Sequence, residues 1–141
     1  MVKVMASGVF DLIHPGHVSY LNQARSYGDH LTVVVASDQT VRTKKHEPIM
    51  PEDMRASMVG FLKPVDEVVI GGTGDIFDTV SKIRPDVIVL GYDQKFDEEK
   101  LRNDLAARGM GSIRVVRADE CADDLNATRR IVAKIREMGS Q

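Results

Sequence analysis

The chain has 141 residues, 19 basic against 21 acidic side chains, a net charge of −2, one cysteine and no tryptophan. That length suits one domain, 1–141, and excludes a second catalytic one. The charge balance excludes a general nucleic-acid binder, so an anionic ligand must be met by a local cluster of positive groups.

Val2 to Ala6 reads as a first strand rather than a signal peptide. Gly16 to Tyr27 reads as a helix, with Val18, Leu21 and Ala24 on one face and Gly28 as its stop. Leu31 to Ala36 is a continuous apolar run, the mark of a strand buried on both faces. A polar stretch follows from Ser37 to Met50. Pro51-Glu52-Asp53 opens a helix to about Leu62, with acids against the positive end of its dipole. Glu67 to Ile70 is a third strand, Ile76 to Ile83 a short helix, and Asp86 to Leu90 a fourth strand. Asp97 to Arg108 is a charged amphipathic helix, Ile113 to Val116 a fifth strand, and Thr128 to Met138 the last helix. This alternation predicts an α/β fold: a single-domain, Rossmann-like, doubly wound five-stranded parallel sheet with helices on both faces. Ligands of such sheets bind beyond the carboxyl ends of the strands, where strand order reverses. The loops on that side are Ser7–Pro15, Ser37–Met50, Gly91–Phe96 and Arg117–Ala127.

The most informative segment is Ser7-Gly8-Val9-Phe10-Asp11-Leu12-Ile13-His14-Pro15-Gly16-His17, which runs from the first strand into the first helix. Gly8 and Gly16 let backbone approach a ligand closely, and Pro15 fixes φ just before the helix. The helix start presents free N–H groups and a positive dipole, a site for phosphate. His14 and His17, three apart, converge on one group there and can stabilise charge developing in its transfer. A zinc site is a poor fit, because His30 and His46 lack ligand spacing and thiols are missing. Neither a P-loop nor a G-x-G-x-x-G motif is present. Gly71-Gly72-Thr73-Gly74 reads as a structural turn. Cys121, the sole cysteine, precludes an internal disulfide; it reads as local packing and suits a reducing cytoplasm. No apolar run approaches the ~20 residues of a membrane span.

The Gly8–His17 segment resembles the GxFDxxHxGH signature of the nucleotidyltransferase superfamily that includes cytidylyltransferases and small adenylyltransferases. Gly8, Val9, Phe10, His14, Pro15, Gly16 and His17 match its nucleotide-binding motif, and the likeness covers nearly the whole chain. The resemblance implies a phosphate-contacting lysine in the loop after the second strand: Lys44, with Lys45 and Arg42 as alternatives. It also implies a closing motif at the last helix. There Thr128 matches, Ala127 lacks the usual hydroxyl, and Arg129 or Arg130 replaces the lost donor with charge.

Gly91 permits close approach to a base or ribose, and Asp93 can accept from ribose hydroxyls or a base amino group. Leu90-Gly91-Tyr92-Asp93-Gln94-Lys95-Phe96-Asp97-Glu98 resembles the L-G-x-D-Q-x-F-D-E segment of the archaeal FAD synthase family, as does Leu62-Lys63-Pro64-Val65-Asp66. That likeness implies adenylyl transfer: the phosphate of FMN attacks the α-phosphorus of ATP in line, and pyrophosphate leaves. His14, His17 and Lys44 would be the catalytic residues, with Mg²⁺ bound mainly through the nucleotide. It further implies a cytoplasmic homodimer, with no membrane or nucleic-acid partner. With no room for a riboflavin kinase domain, the acceptor is expected already phosphorylated. Gly8 to Asp38 equally resembles glycerol-3-phosphate cytidylyltransferases and heptose-phosphate adenylyltransferases of lipopolysaccharide synthesis. A non-catalytic nucleotide-binding regulatory module is the alternative of another class.

Overall fold

The computed structural model describes residues 1–44, 47–72, 74–122 and 127–139. Lys45, His46 and Thr73, named above, lie outside the described residues, as do residues 123–126 of the loop before the last helix. The strands are β1 (Lys3–Gly8), β2 (His30–Val35), β3 (Glu67–Ile70), β4 (Val87–Leu90) and β5 (Arg114–Arg117). The helices are α1 (Pro15–Arg25), α2 (Asp38–Lys44), α3 (Glu52–Gly60), α4 (Ile76–Ile83), α5 (Glu98–Ala107) and α6 (Thr128–Gly139).

All pairings are parallel and the strand order is β3-β2-β1-β4-β5, as the alternation predicts. Side chains alternate across the sheet, because successive strand residues point to opposite faces. Val4 and Ala6 of β1, Leu31, Val33 and Val35 of β2, and Val87 and Val89 of β4 form one core, with Leu21 and Ala24 of α1 and Val59 of α3. Met5, Val34, Ile88 and Leu90 face the other way, onto Val80 and Ile83 of α4 and Leu101 and Leu105 of α5. Two cores, one per face, make this a doubly wound sheet. β1 lies at its centre and pairs with β2 on one side and β4 on the other. The gap above β1 and β4 is where strand order reverses, which makes it the crevice for a ligand.

Three expectations change. The stretch read as polar loop after β2 contains a helix, α2. Ser37 starts it: the Ser37 hydroxyl accepts from the Thr40 amide at 3.2 Å, and the Ser37 carbonyl from the Val41 amide at 3.0 Å. With only Val41 buried, so short a helix carries no hydrophobic period to read. Val18 is 39% exposed rather than core-facing; Tyr20, Leu21 and Ala24 take that role. The inward stripe of α1 is the 17-20-21-24 set, at helical spacing. Finally, β1 continues through Gly8, so Ser7 and Gly8 pair with Val34 and Val35 instead of opening the loop.

Candidate active site

Three fixtures shape the segment that leaves β1. Phe10 takes a left-handed backbone conformation, φ 53°, and its ring is buried. Such strain costs a bulky residue about 1–3 kcal/mol and persists only where surroundings enforce it. The Phe10 ring packs on His17, with centroids 5.0 Å apart. A Cβ at Gly8 would meet that ring at 3.0 Å, so Gly8 makes room for Phe10. The carboxylate of buried Asp11 accepts from the amides of Ile49 and Met50, both at 2.8 Å. It joins the motif loop to the segment entering α3.

Arg55 of α3 is fully buried beneath this loop. It donates to the carbonyls of Val9 (2.9 Å), Ala36 (2.7 Å) and Met50 (2.9 Å), and to the carboxylate of Asp38 (2.6 Å). The guanidinium thereby fastens the ends of β1 and β2 and the start of α2 to one point, and its hydrogen bond holds the Asp38 carboxyl below the usual range. Tyr20 does similar work from α1. Its hydroxyl accepts from the Ser7 amide at 3.1 Å and donates to the Val89 carbonyl at 2.6 Å. That contact locks α1 across the β1/β4 junction. The sequence reading passed over Asp11, Tyr20 and Arg55. A tyrosine and an arginine on the inward spacing of amphipathic helices were the available signal.

His14 caps α1. Its Nδ1 accepts from the amides of Gly16 (3.1 Å) and His17 (3.4 Å), behind Pro15 at the first helical position. The first amide donors of this helix are therefore occupied by an imidazole. Expected free for a phosphate, they are satisfied within the chain. Accepting at Nδ1 places the proton of neutral His14 on Nε2, which becomes the outward donor. The two imidazoles stack, with centroids 3.7 Å apart and planes 22° from parallel. His17 sits at the top of the inward stripe of α1, one turn before Leu21. Its Nδ1 is buried and lacks a hydrogen-bond partner. Burial lowers its pKa to about 3, the adjacent His14 adds to this, and the Leu12 backbone opposes it weakly. Burial also lowers the pKa of His14, against the pull of Asp93.

Both imidazoles are thus neutral near pH 7 in the ligand-free protein. They offer N–H donors rather than the positive charge expected at this point. Positive charge must come from elsewhere. Lys44 ends α2 and is exposed, whereas Arg42 is paired with Glu47 at 3.0 Å. Thr128 and Arg129 open α6, where the Ala127 carbonyl accepts from the amides of Arg130 (3.1 Å) and Ile131 (3.3 Å). In the chain these groups follow β2 and β5. Among the described residues, no hydrogen bond or ion pair joins them to the histidines.

From β4 comes the loop of Gly91 and Asp93. Asp93 lies close enough to His14 to act on its titration. The Gln94 side chain packs over Gly91, whose Cβ would meet it at 3.3 Å, so the glycine has a packing role. A groove of about 720 Å³ runs from His14 and Pro15 along α1 to Asn22 and Gln23. It is open to solvent rather than enclosed. Stacked neutral imidazoles offering N–H donors can bind a polyphosphate and steady charge during its transfer.

Comparison with known proteins agrees with this geometry. A protein from Aciduliprofundum boonei described as an FAD synthase is 55% identical over 136 residues, 96% of this chain and 91% of that one. An FAD synthase of Thermoplasma volcanium is 41% identical, covering 98% of this chain and 96% of the relative. A crystal structure described as a lipopolysaccharide core biosynthesis protein, from Thermoplasma volcanium GSS1, superposes with a TM-score of 0.84 at 43% identity. It covers 86% of this chain and 98% of that chain. The model of the cytidylyltransferase-like family matches residues 5–133, the stretch that carries both cores and the histidine motif. The chain belongs to the cytidylyltransferase-like family.

Proposed function

We propose that this enzyme is an FMN adenylyltransferase, moving AMP from ATP to FMN to give FAD and pyrophosphate. The observation that carries the reading is kinship along nearly the whole chain, at 41% to 55% identity, with proteins described as FAD synthases. The stacked His14/His17 pair at the reversal of strand order is its chemical counterpart.

The reaction balances without a protein nucleophile. A phosphate oxygen of FMN forms a bond to the α-phosphorus of ATP as the bond to the bridging oxygen of pyrophosphate breaks. Catalysis then rests on alignment and charge stabilisation. The imidazole N–H groups of His14 and His17 donate to the transferring phosphate and the leaving group. Lys44 and Arg129 supply positive charge to the β- and γ-phosphates from either side, with Thr128 at the start of α6. Asp93 takes the nucleoside end. ATP enters as its Mg²⁺ complex. That ion would be held mainly through nucleotide oxygens and water, which suits Mg²⁺.

Among the described residues no helix is long and apolar enough to cross a membrane. We place the enzyme in the cytoplasm, as a homodimer of one-domain chains. Met54 and Met58 of α3 and Phe61 just after it are exposed apolar surface that a second copy would cover. Light scattering measures that association directly.

The crystal structure described as a lipopolysaccharide core biosynthesis protein favours a second reading, with a heptose phosphate as acceptor. One matrix separates the two: ATP or CTP against FMN, glycerol 3-phosphate, heptose 1-phosphate and phosphopantetheine, with Mg²⁺. FAD formed from ATP and FMN alone is the expected result. Turnover only with CTP and glycerol 3-phosphate, or only with the heptose phosphate, would overturn the flavin reading. Nucleotide binding without turnover on any acceptor would favour a regulatory module.

A further inference from the structure

We propose that Arg117, the last residue of β5, is a positioning residue for the nucleoside end of the nucleotide: it latches the loop after β4 so that Asp93 stays beside His14. Arg117 pairs in register with Leu90, directly before that loop. Its Nη1 donates to the carbonyls of Gly91 (2.9 Å) and Gln94 (2.8 Å), its Nη2 to the carbonyl of Phe96, and its Nε to the carboxylate of Glu98 (2.6 Å). Four of the five N–H donors of the guanidinium are spent on this one segment. The planar fork suits the task, since it reaches carbonyls in several directions at once.

The opposite edge of the loop is tied by Gln94. Its Oε1 accepts from the Gly91 amide at 2.8 Å, and its Nε2 donates to the Ser7 carbonyl of β1 at 2.9 Å. The loop is therefore strung across the strand-order reversal, fastened to β5 at one side and to β1 at the other. Tyr92 and Asp93, between these ties, are exposed and face solvent where a nucleoside would arrive. An arginine beside a phosphate site is easily taken for a phosphate ligand. Here its donors are committed to backbone, and what it orders is the segment bearing Asp93.

The inference rests on the proposed nucleotide site, and two measurements keep the two apart. The first is amide hydrogen exchange on the ligand-free protein. Arg117→Lys keeps the charge but cannot span three carbonyls. It should speed exchange across residues 91–97 about tenfold or more while leaving β1 and β2 unchanged. Glu98→Gln, which weakens a single arm, should give a smaller change in the same place. If Arg117→Lys fails to fold, Glu98→Gln alone decides. Unaltered exchange in this segment would overturn the latch. The second measurement is binding of AMP, ADP and ATP to both variants. A displaced Asp93 weakens all three by the same factor. A loss that grows with each added phosphate would make Arg117 a phosphate ligand and overturn the proposal. Should the unaltered protein bind none of them, the proposed function fails, while the exchange data still decide the latch.

Discussion

His17 is both a proposed donor to the transferring phosphate and a member of the inward stripe of α1. Losing one donor to a transferring phosphate typically costs ~10²–10³ in rate. His17→Ala should keep the fold and lose turnover on that scale, measured as pyrophosphate release. A folded variant with unaltered turnover would remove the motif from the chemistry. Burial has a second effect. In the unfolded chain this imidazole takes up a proton near pH 6.5; in the fold it resists until about pH 3. Between those values the unfolded state holds more protons, so stability falls as pH drops from 6.5 toward 3, by at most about 1.4 kcal/mol per pH unit. Urea melts at pH 7 and pH 5 should show this slope, and His17→Ala, though less stable at pH 7, should flatten it. Gly8 is a third residue under local constraint. Gly8→Ala places a methyl against the Phe10 ring at 3.0 Å. It should cost about 1–3 kcal/mol and lower turnover by displacing the ring that supports His17, read by melting and initial rate together.

At the scale of elements, Arg55 carries the most consequence. It joins α3, α2 and the ends of β1 and β2. Arg55→Met fills much of the same volume but leaves three partly buried carbonyls without their donor. Each costs roughly 1 kcal/mol or more, so a loss of about 3 kcal/mol is expected in urea unfolding. A change under 1 kcal/mol would mean the carbonyls find other partners. The strands were legible because the residues of β2 and β4 are apolar on both faces, a pattern independent of the rest of the fold. The His14/His17 pair was legible because its spacing places it at one helix start. The occupant of that start was not, since nothing local says that a histidine Nδ1 turns back onto the amides. Arg55 was also hidden, because four of its partners lie at sequence separations from 5 to 46, which only the tertiary fold brings together. α2 escaped for the opposite reason: its cap, Ser37, is local, but one buried valine is too little pattern.

For the molecule as a whole, the near-zero net charge conceals an uneven distribution. The imidazoles are neutral, and the cations proposed to complement a triphosphate, Lys44 and Arg129, stand on α2 and α6. Central geometry and peripheral charge are therefore held with different firmness. The histidines follow β1, the central strand, which is paired on both sides. α6 buries no residue fully, though its Ile135 and Met138 are apolar. An element with so little buried surface opens at lower free energy than the sheet. On warming, the enzyme should lose adenylyl transfer several degrees before its β-sheet melts, a gap visible by comparing residual activity with far-ultraviolet dichroism. If the proposed contacts of Thr128 and Arg129 with the nucleotide hold, saturating ATP should narrow that gap. The lightly fastened last helix thus gives the protein a working temperature ceiling distinct from its folding ceiling, and a sacrificial point where a protease would cut first.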